Sequence, residues 1–319
     1  MNSINLAIEN LTSPPVLAFV LGALAVVLRS DLRLPDPINT WISTYLLLAI
    51  GLKGGHSIKE SNLGSLLSPV LLTVAFGIAI PIIIFLVATY LLKLSPHDGA
   101  SLAAHYGSVS VVTFTAAMIF ATEADFFTEP FMTSLVAILE IPGIVVALVL
   151  ASMKSESVNW RTAVHEVLTG RSVLLLIGGI FIGVASSANS FSRVEPFFVG
   201  MFAGLLTLFL LDMGASVATR FIESGRPPLR MAIFAIVSPI IFGTLGIFAA
   251  HAIGLSIGGS AVFGIMAASA SYIAAPAAVR IALPKADSGL SLGLALGVTF
   301  PFNLTIGIPL AFMLSRSIG

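Results

Sequence analysis

The chain has 319 residues, of which 57% are hydrophobic and 9% are charged, and its mean hydropathy is +1.06. Soluble domains carry about 25% charged residues, so this composition excludes an ordinary soluble domain and is typical of an integral membrane protein. The formal charge of zero gives no reason to expect a nucleic-acid partner, and the absence of cysteine excludes disulfides and thiolate metal sites.

Apolar runs long enough to cross a lipid bilayer recur along the whole chain. A transmembrane helix needs about 20 mostly apolar residues, and these runs are continuous rather than alternating, which favours helices over the strands of a barrel. Residues 1–14 carry no basic segment, so no cleavable signal is expected. We predict ten spans, at residues 15–29, 37–58, 68–92, 99–121, 131–153, 172–187, 196–220, 229–252, 258–281 and 289–315.

A hydrophilic connector divides the spans into two sets of five. The predicted organisation is a first repeat at residues 1–153, a linker at 154–171 and a second repeat at 172–319. Eleven lysine and arginine residues follow the odd-numbered spans, against four on the other side. By the positive-inside rule, we expect a cytoplasmic linker and both termini outside the cytoplasm, in an inner (plasma) membrane.

The two halves of the chain share sequence features in the same order. The segment at residues 45–61 aligns with residues 208–224 at an offset of 163, and in the following segments Pro81 aligns with Pro239. Because each half contains an odd number of spans, the second copy must be inverted relative to the first. The sequence therefore predicts an all-helical membrane protein built from two inverted five-helix repeats.

Two corresponding spans, the fourth and the ninth, are rich in small and hydroxylated residues. Inverted-repeat transporters commonly interrupt such helices near the bilayer middle, where amide groups suit a small anion and carbonyl or hydroxyl oxygens suit sodium. The alternative is that the small residues only let helices pack closely. The candidate substrate-binding residues are Gly107, Ser108, Ser110, Thr113, Ser269, Ser271 and Tyr272, and the expected helix breaks are at Pro276 and Pro301.

At these residues the chain resembles the cyanobacterial-type sodium-dependent bicarbonate transporters. The similarity covers essentially the whole chain and includes IGLKGGHSIKESNL in the second span, AILEIPGIVVALVLA in the fifth and MAASASYIAAPAAVRIALP in the ninth. The resemblance implies ten spans in inverted repeats, a homotrimer, and uptake of bicarbonate with sodium at a site between the fourth and ninth helices. It also admits a cytoplasmic regulator, although the linker is much shorter here than in the family.

The chain departs from the family pattern close to this site. The family reads roughly GAVSGST in the fourth helix and SSSD followed by GPP in the ninth, where this chain has GSVSVVT and SASY followed by APA. Each oxygen that is lost from an ion site must be replaced, because leaving the ion dehydrated costs several kcal/mol. Such losses therefore affect which substrate the site can bind. The departing residues are Val111, Val112, Ala270 and Tyr272.

Three polar residues inside predicted spans are candidates for cation coupling. Glu140 could ligate sodium or carry a coupling proton, or could be a paired structural carboxylate. Asp212 could act in coupling or pair with Lys53, and Asn303, after Pro301, could supply an oxygen or only a packing hydrogen bond. The oxygens assigned to sodium belong to Ser110, Thr113, Ser271, Glu140 and Asn303.

The sequence contains no HExxH, GxSxG, Walker A or dinucleotide-binding motif, so no enzyme activity is expected. We predict a secondary transporter in the lipid bilayer that couples sodium to the uptake of a small anion, bicarbonate first, and needs no cofactor besides the coupling ion. The alternatives are sodium- or proton-coupled transport of another small organic anion such as a carboxylate, and a membrane protein that binds or senses without transport.

Overall fold

The computed structural model describes residues 8, 11–30, 32–60, 63–153, 165, 168–224 and 227–319. Within these ranges the chain is helical and contains no strand. The helices are α1 (Pro14–Val27), α2 (Asp36–Glu60), α3 (Leu63–Leu86), α4 (Pro96–Gly107), α5 (Val111–Glu123), α6 (Met132–Ser152), α7 (Arg171–Ala185), α8 (Ala188–Glu195), α9 (Phe202–Ser224), α10 (Leu229–Ala252), α11 (Ile257–Ala268), α12 (Ala274–Ala282), α13 (Ser288–Leu294), α14 (Phe300–Phe302) and α15 (Ile308–Ile318). Short π-helical stretches lie at Val87–Leu91, Pro196–Gly200, Ala295–Thr299 and Asn303–Gly307.

Six helical runs in the described residues are long and apolar enough to cross a membrane. They are Leu66–Leu91, Pro96–Glu123, Met132–Ser152, Ala188–Glu223, Leu229–Ala252 and Gly289–Ile318. The chain is therefore a multi-pass helical membrane protein, as its composition predicts. The first, second, sixth and ninth of the ten predicted spans are not among the six. The first and sixth are shorter apolar helices, the second carries several polar residues, and the ninth is divided between α11 and α12.

The two short apolar helices α1 and α7 each pack closely against a longer helix. α1 lies against α9, where a Cβ atom on Gly22 would come within 1.8 Å of the carbonyl oxygen of Leu211. α7 lies against α2, where a Cβ atom on Gly179 would come within 3.0 Å of the carbonyl oxygen of Leu48. At Gly22 no larger residue fits. At both crossings the glycine lets the two helix backbones come into contact, and such contacts are common between helices in membranes.

The last run is helical throughout but irregular. Pro301 lies in α14, between the π-helical stretches Ala295–Thr299 and Asn303–Gly307. Proline has no N–H to donate, and a π-helical stretch absorbs the resulting change of register without unwinding the chain. The irregularity expected at Pro301 is thus present, but as a distorted helix rather than an open break.

Candidate functional site

The fourth predicted span is interrupted between α4 and α5. Ser108 and Ser110 have extended backbones, with φ −105° and ψ 156° at the first and φ −91° and ψ 109° at the second. The Ser110 hydroxyl caps α5 by accepting a hydrogen bond from the Thr113 amide at 3.2 Å, and the Thr113 hydroxyl donates to the same oxygen at 2.9 Å. Because serine satisfies a free amide of the first turn, it allows α5 to restart inside the protein.

The ninth predicted span is interrupted between α11 and α12. Ser269 is extended, with φ −86° and ψ 166°, and its hydroxyl donates to the Met266 carbonyl at 2.8 Å. The Ser271 hydroxyl accepts a hydrogen bond from the Ala275 amide at 3.3 Å. Pro276 lies after the break, in the first turn of α12, where a missing amide proton costs little. Pro276 therefore supports the restart of the helix rather than forming the break.

The two interruptions contact each other in the protein interior. The Ser110 amide donates to the Ser269 hydroxyl at 2.9 Å, and the Ser271 amide donates to the His105 carbonyl at 2.7 Å. Four of the candidate serines are at most 4% exposed: Ser108, Ser110, Ser269 and Ser271. The structure thus brings the candidates of the fourth and ninth spans into one buried polar cluster, although they are about 160 residues apart in sequence.

Helix α6 supports the first interruption. The Ser108 hydroxyl donates to the Glu140 carbonyl at 3.1 Å. One turn later, a Cβ atom on Gly143 would lie 1.9 Å from the Gly107 carbonyl oxygen and 2.8 Å from the Ser108 amide. A Cβ atom on Gly107 would in turn lie 2.7 Å from that of Pro81. Sequence reasoning did not single out Gly143, although it belongs to the AILEIPGIVVALVLA motif of the fifth span.

Two candidate cation-coupling residues each have a buried side-chain oxygen with no hydrogen-bond partner among the described residues. The Asn303 amide nitrogen donates to the Ala268 carbonyl at 2.9 Å, at the end of α11, but the Asn303 Oδ1 atom is unpaired. Glu140 is 2% exposed and its Oε2 atom is also unpaired. Because an unsatisfied buried oxygen costs about 1–3 kcal/mol, each atom is a candidate ligand for a cation.

Asp212 has structural partners in the loop before α2 and in the first turn of α2. Its Oδ1 atom accepts a hydrogen bond from the Leu34 amide at 3.1 Å, and its Oδ2 atom accepts one from the Asn39 side chain at 2.6 Å. The alternative pairing of Asp212 with Lys53 is therefore wrong. These contacts account for a buried carboxylate, because they anchor the start of α2 on α9.

A cavity of about 740 Å³ reaches the ninth interruption at Tyr272 and Ile273. Its wall comes from the first half of α2, the start of α7, the part of α9 from Phe209 onwards, and residues of α12 and α13. The charged residues that line it are Arg33, Arg171, Arg220, Arg280, Asp36 and Glu223. Three of the guanidinium groups donate to backbone carbonyls, those of Thr40, Gly289 and Pro276.

Four arginines against two carboxylates give this cavity a net positive charge, which raises the local concentration of anions. Sequence reasoning used these arginines only to orient the chain. The signal that could have found them is that they all lie in or near loops on the predicted cytoplasmic side.

The departures from the family pattern place bulk at the polar cluster. Val111 and Val112 are buried in the first turn of α5. The Tyr272 ring packs edge-on against Phe300, with 5.2 Å between ring centroids, and its hydroxyl faces Ser110 without a hydrogen bond of normal geometry. Tyr272 thus separates the polar cluster from the large cavity with an aromatic ring and one free hydroxyl.

Comparison with known proteins identifies a family. A family model described as the Na+-dependent bicarbonate transporter superfamily matches residues 14–316. The match confirms the resemblance drawn from the motifs, and it covers both interrupted spans. A comparison with curated proteins found no match. Among the described residues, no group of three or more His, Asp or Glu side chains could hold a metal ion.

Proposed function

This chain belongs to the Na+-dependent bicarbonate transporter superfamily, and we propose that it is a secondary transporter that takes up a small anion with sodium at the two facing helix breaks. The observation that carries the proposal is the pair of hydrogen bonds between the breaks, from the Ser110 amide to the Ser269 hydroxyl and from the Ser271 amide to the His105 carbonyl. Bicarbonate is the first candidate for the anion, because the superfamily carries its name.

The chemistry of the breaks suits one ion of each sign. The N-termini of α5 and α12 present the positive ends of their helix dipoles, which favour an anion. The C-termini of α4 and α11 present carbonyl oxygens, which favour sodium. In this proposal the free oxygens of Glu140 and Asn303 complete the sodium site with the hydroxyls of Ser110, Thr113 and Ser271. Gly107 and Ser108 give the anion close access to the backbone.

Matched contacts support two inverted repeats. Gly22 packs on Leu211 as Gly179 packs on Leu48, and Leu48 and Leu211 are separated by the offset of 163 found in the sequence. Each first half-helix also begins at a capping serine. Ser95 accepts a hydrogen bond from the Asp98 amide before α4, and Ser256 accepts one from the Gly259 amide before α11. Equivalent contacts in both halves are what a duplicated five-span unit would produce.

The proposed architecture retains the ten spans, with repeats at residues 1–153 and 172–319 joined by a cytoplasmic linker at 154–171. Residues 154–164, 166 and 167 of that linker, with any regulator that binds there, lie outside the described residues. The positive-inside rule places the large arginine-lined cavity on the cytoplasmic side of the plasma membrane and both termini on the other side. Transport then proceeds by alternating access, and a homotrimer is the assembly that the family resemblance implies.

The test is uptake of labelled bicarbonate into proteoliposomes, with and without an inward sodium gradient. We expect sodium-driven accumulation by the wild-type chain and loss of it in Ser271→Leu, which fills the break. Ser271→Ala separates the loss of the hydroxyl from added bulk, and Ser260→Ala is the matched control, because Ser260 is a buried serine of α11 outside the break. Normal uptake by Ser271→Leu would contradict the site.

A small carboxylate is the second candidate substrate, coupled to sodium or to protons. Val111, Val112 and Tyr272 replace a glycine, a serine and an aspartate of the family pattern with larger, less polar side chains. Guanidinium groups, for their part, bind carboxylates in bidentate geometry. If the folded wild-type chain moves no bicarbonate, the same vesicles are tested with labelled small carboxylates under sodium and proton gradients. Binding of either anion without flux would instead favour a sensor.

A further inference from the structure

A second, smaller cavity of about 150 Å³ lies beside α5. It is bounded by Ala49, Ile50 and Lys53 in the second half of α2, whereas the 740 Å³ cavity is bounded by the first half of the same helix. It is also bounded by Phe202 and Ala203 at the start of α9, whereas the large cavity is bounded by residues towards the end of α9. The two cavities therefore open at opposite ends of α2 and α9.

The linings of the two cavities correspond residue by residue. Five residues of the small cavity are each separated by 163 residues from one that lines the large cavity. This is the offset at which residues 45–61 align with residues 208–224. The pairs are Ile50 with Met213, Lys53 with Ser216, Val199 with Asp36, Phe202 with Asn39 and Ala203 with Thr40. Each cavity also reaches the half-helix that follows a break, since Phe114 and Thr115 lie on α5 and Arg280 lies on α12.

Among the described residues that line the small cavity, Lys53 is the only one that carries a charge. It is exposed, and in the described part of the chain its ammonium group has neither a hydrogen bond nor an ion pair. The hydroxyls of Thr115 and Thr122 donate to the carbonyls of Val111 and Met118 in their own helix. The ammonium group is therefore the charged donor that this cavity offers to an incoming anion, beside the Thr133 hydroxyl, which also lines it.

Lys53 lies in the second predicted span, and a lysine without a counter-charge inside a span is costly unless water or an ion contacts it. The positive charge of the large cavity comes from arginines. The small cavity has a single lysine, Lys53, and the corresponding residue of the large cavity is Ser216. Both cavities therefore carry positive charge. The charged residues of one cavity do not, however, correspond to those of the other at the offset of 163.

We propose that the small cavity is the collapsed outer vestibule and that Lys53 binds the anion there before it reaches the break between α4 and α5. The proposal rests on the proposed function, because it takes the breaks as the transport site. In the present structure the cytoplasmic vestibule is open at 740 Å³ and the outer one is reduced to 150 Å³. Alternating access would enlarge the outer cavity around Lys53.

The first measurement is influx kinetics of labelled bicarbonate into oriented proteoliposomes. Loss of one unit charge near a bound anion in a wet cavity is worth about fivefold in affinity, or about 1 kcal/mol. We therefore expect Lys53→Gln to raise the influx KM about fivefold with little change in efflux KM, and Lys53→Arg to stay near wild type. Lys59→Gln is the matched control, because Lys59 carries the same charge on the same helix but bonds to the Ser186 carbonyl.

The second measurement uses the absence of native cysteine. Lys53→Cys is treated from outside with an aminoethyl or a sulfonatoethyl thiosulfonate, which restore a positive charge or introduce a negative one. We expect labelling from the outside, recovery of influx with the amine and further loss with the sulfonate. If the cysteine of the folded Lys53→Cys variant is not labelled from the outside in the presence of sodium and bicarbonate, the assignment of the small cavity as the outer vestibule is overturned. If the two reagents change influx equally, the role of the Lys53 charge is overturned.

The two proposals fail in different ways. Flux in the wild-type chain with a KM that does not depend on Lys53 overturns the role of Lys53 and leaves the proposed function standing. Absence of anion flux in folded wild-type protein overturns both.

Discussion

The contact between Gly143 and the first helix break allows a quantitative prediction for Gly143→Ala. A Cβ atom there would lie 1.9 Å from the Gly107 carbonyl oxygen and 2.2 Å from its carbon. Normal contacts require at least about 3 Å, so the break must move from α6 by about 1 Å or more. The Ser108 bond to the Glu140 carbonyl is already 3.1 Å long and would be lost.

A misplacement of about 1 Å in a positioned site can cost on the order of 10²-fold in rate. Overpacking of this kind destabilises a protein by about 1–3 kcal/mol, so much of the variant should still fold. We expect Gly143→Ala to reduce the initial rate of sodium-driven uptake by one to two orders of magnitude, with a modest loss of thermal stability in detergent. The flux is normalised to folded protein measured by size-exclusion chromatography.

Gly178→Ala is the matched control, because a Cβ atom on Gly178 of α7 would meet nothing within 4 Å. Alanine is favoured over glycine in helices by about 1 kcal/mol, so this variant should be transport-competent and at least as stable as wild type. Wild-type uptake by folded Gly143→Ala would refute the reasoning that the position of the break on α6 governs transport.

Two further predictions concern the buried carboxylates. Glu140→Gln replaces one oxygen of a buried carboxyl group, whose Oε2 atom has no partner among the described residues, with an amide nitrogen that cannot ligate a cation. We expect a loss of about tenfold or more in apparent sodium affinity with a smaller change in anion affinity. Sodium activation curves measure this, and an unchanged curve would show that Glu140 does not couple the cation. Asp212→Ala removes the bonds to Leu34 and Asn39, so we expect a loss of about 2–4 kcal/mol in stability with unchanged sodium dependence. Thermal unfolding and the same activation curve test it, and an altered sodium response would return Asp212 to the coupling site.

Much of the candidate site is predictable from the sequence because the interruptions are local. Serine and glycine are poor helix formers and good caps, so GSVS and SASY mark where two long apolar spans are weakened. The structure places the breaks at these residues. The positions of the two prolines illustrate the limit, since Pro276 lies one turn after a break and Pro301 lies in a helix that only changes register.

The partners of the site residues are not predictable in the same way. The sequence analysis considered Lys53 as a partner for Asp212. In the structure the carboxylate accepts hydrogen bonds from Leu34 and Asn39, of which Leu34 is 178 residues away in the chain. In the sequence, Gly143 is one of several small residues in an apolar span. Only the structure shows that it lies against Gly107. Such contacts depend on how helices cross, and hydropathy carries no information on crossing.

By itself, the sequence determined that this chain is a helical membrane protein, and it predicted that the fourth and ninth apolar segments are weakened by small and hydroxylated residues. Span length, hydropathy and capping depend on neighbouring residues, so they can be read along the chain. The tertiary structure alone decided that the two weakened segments bond to each other, that α6 holds one of them in place, and that a cavity lined by four arginines reaches the other. These relations join residues that only close packing of separate helices brings together.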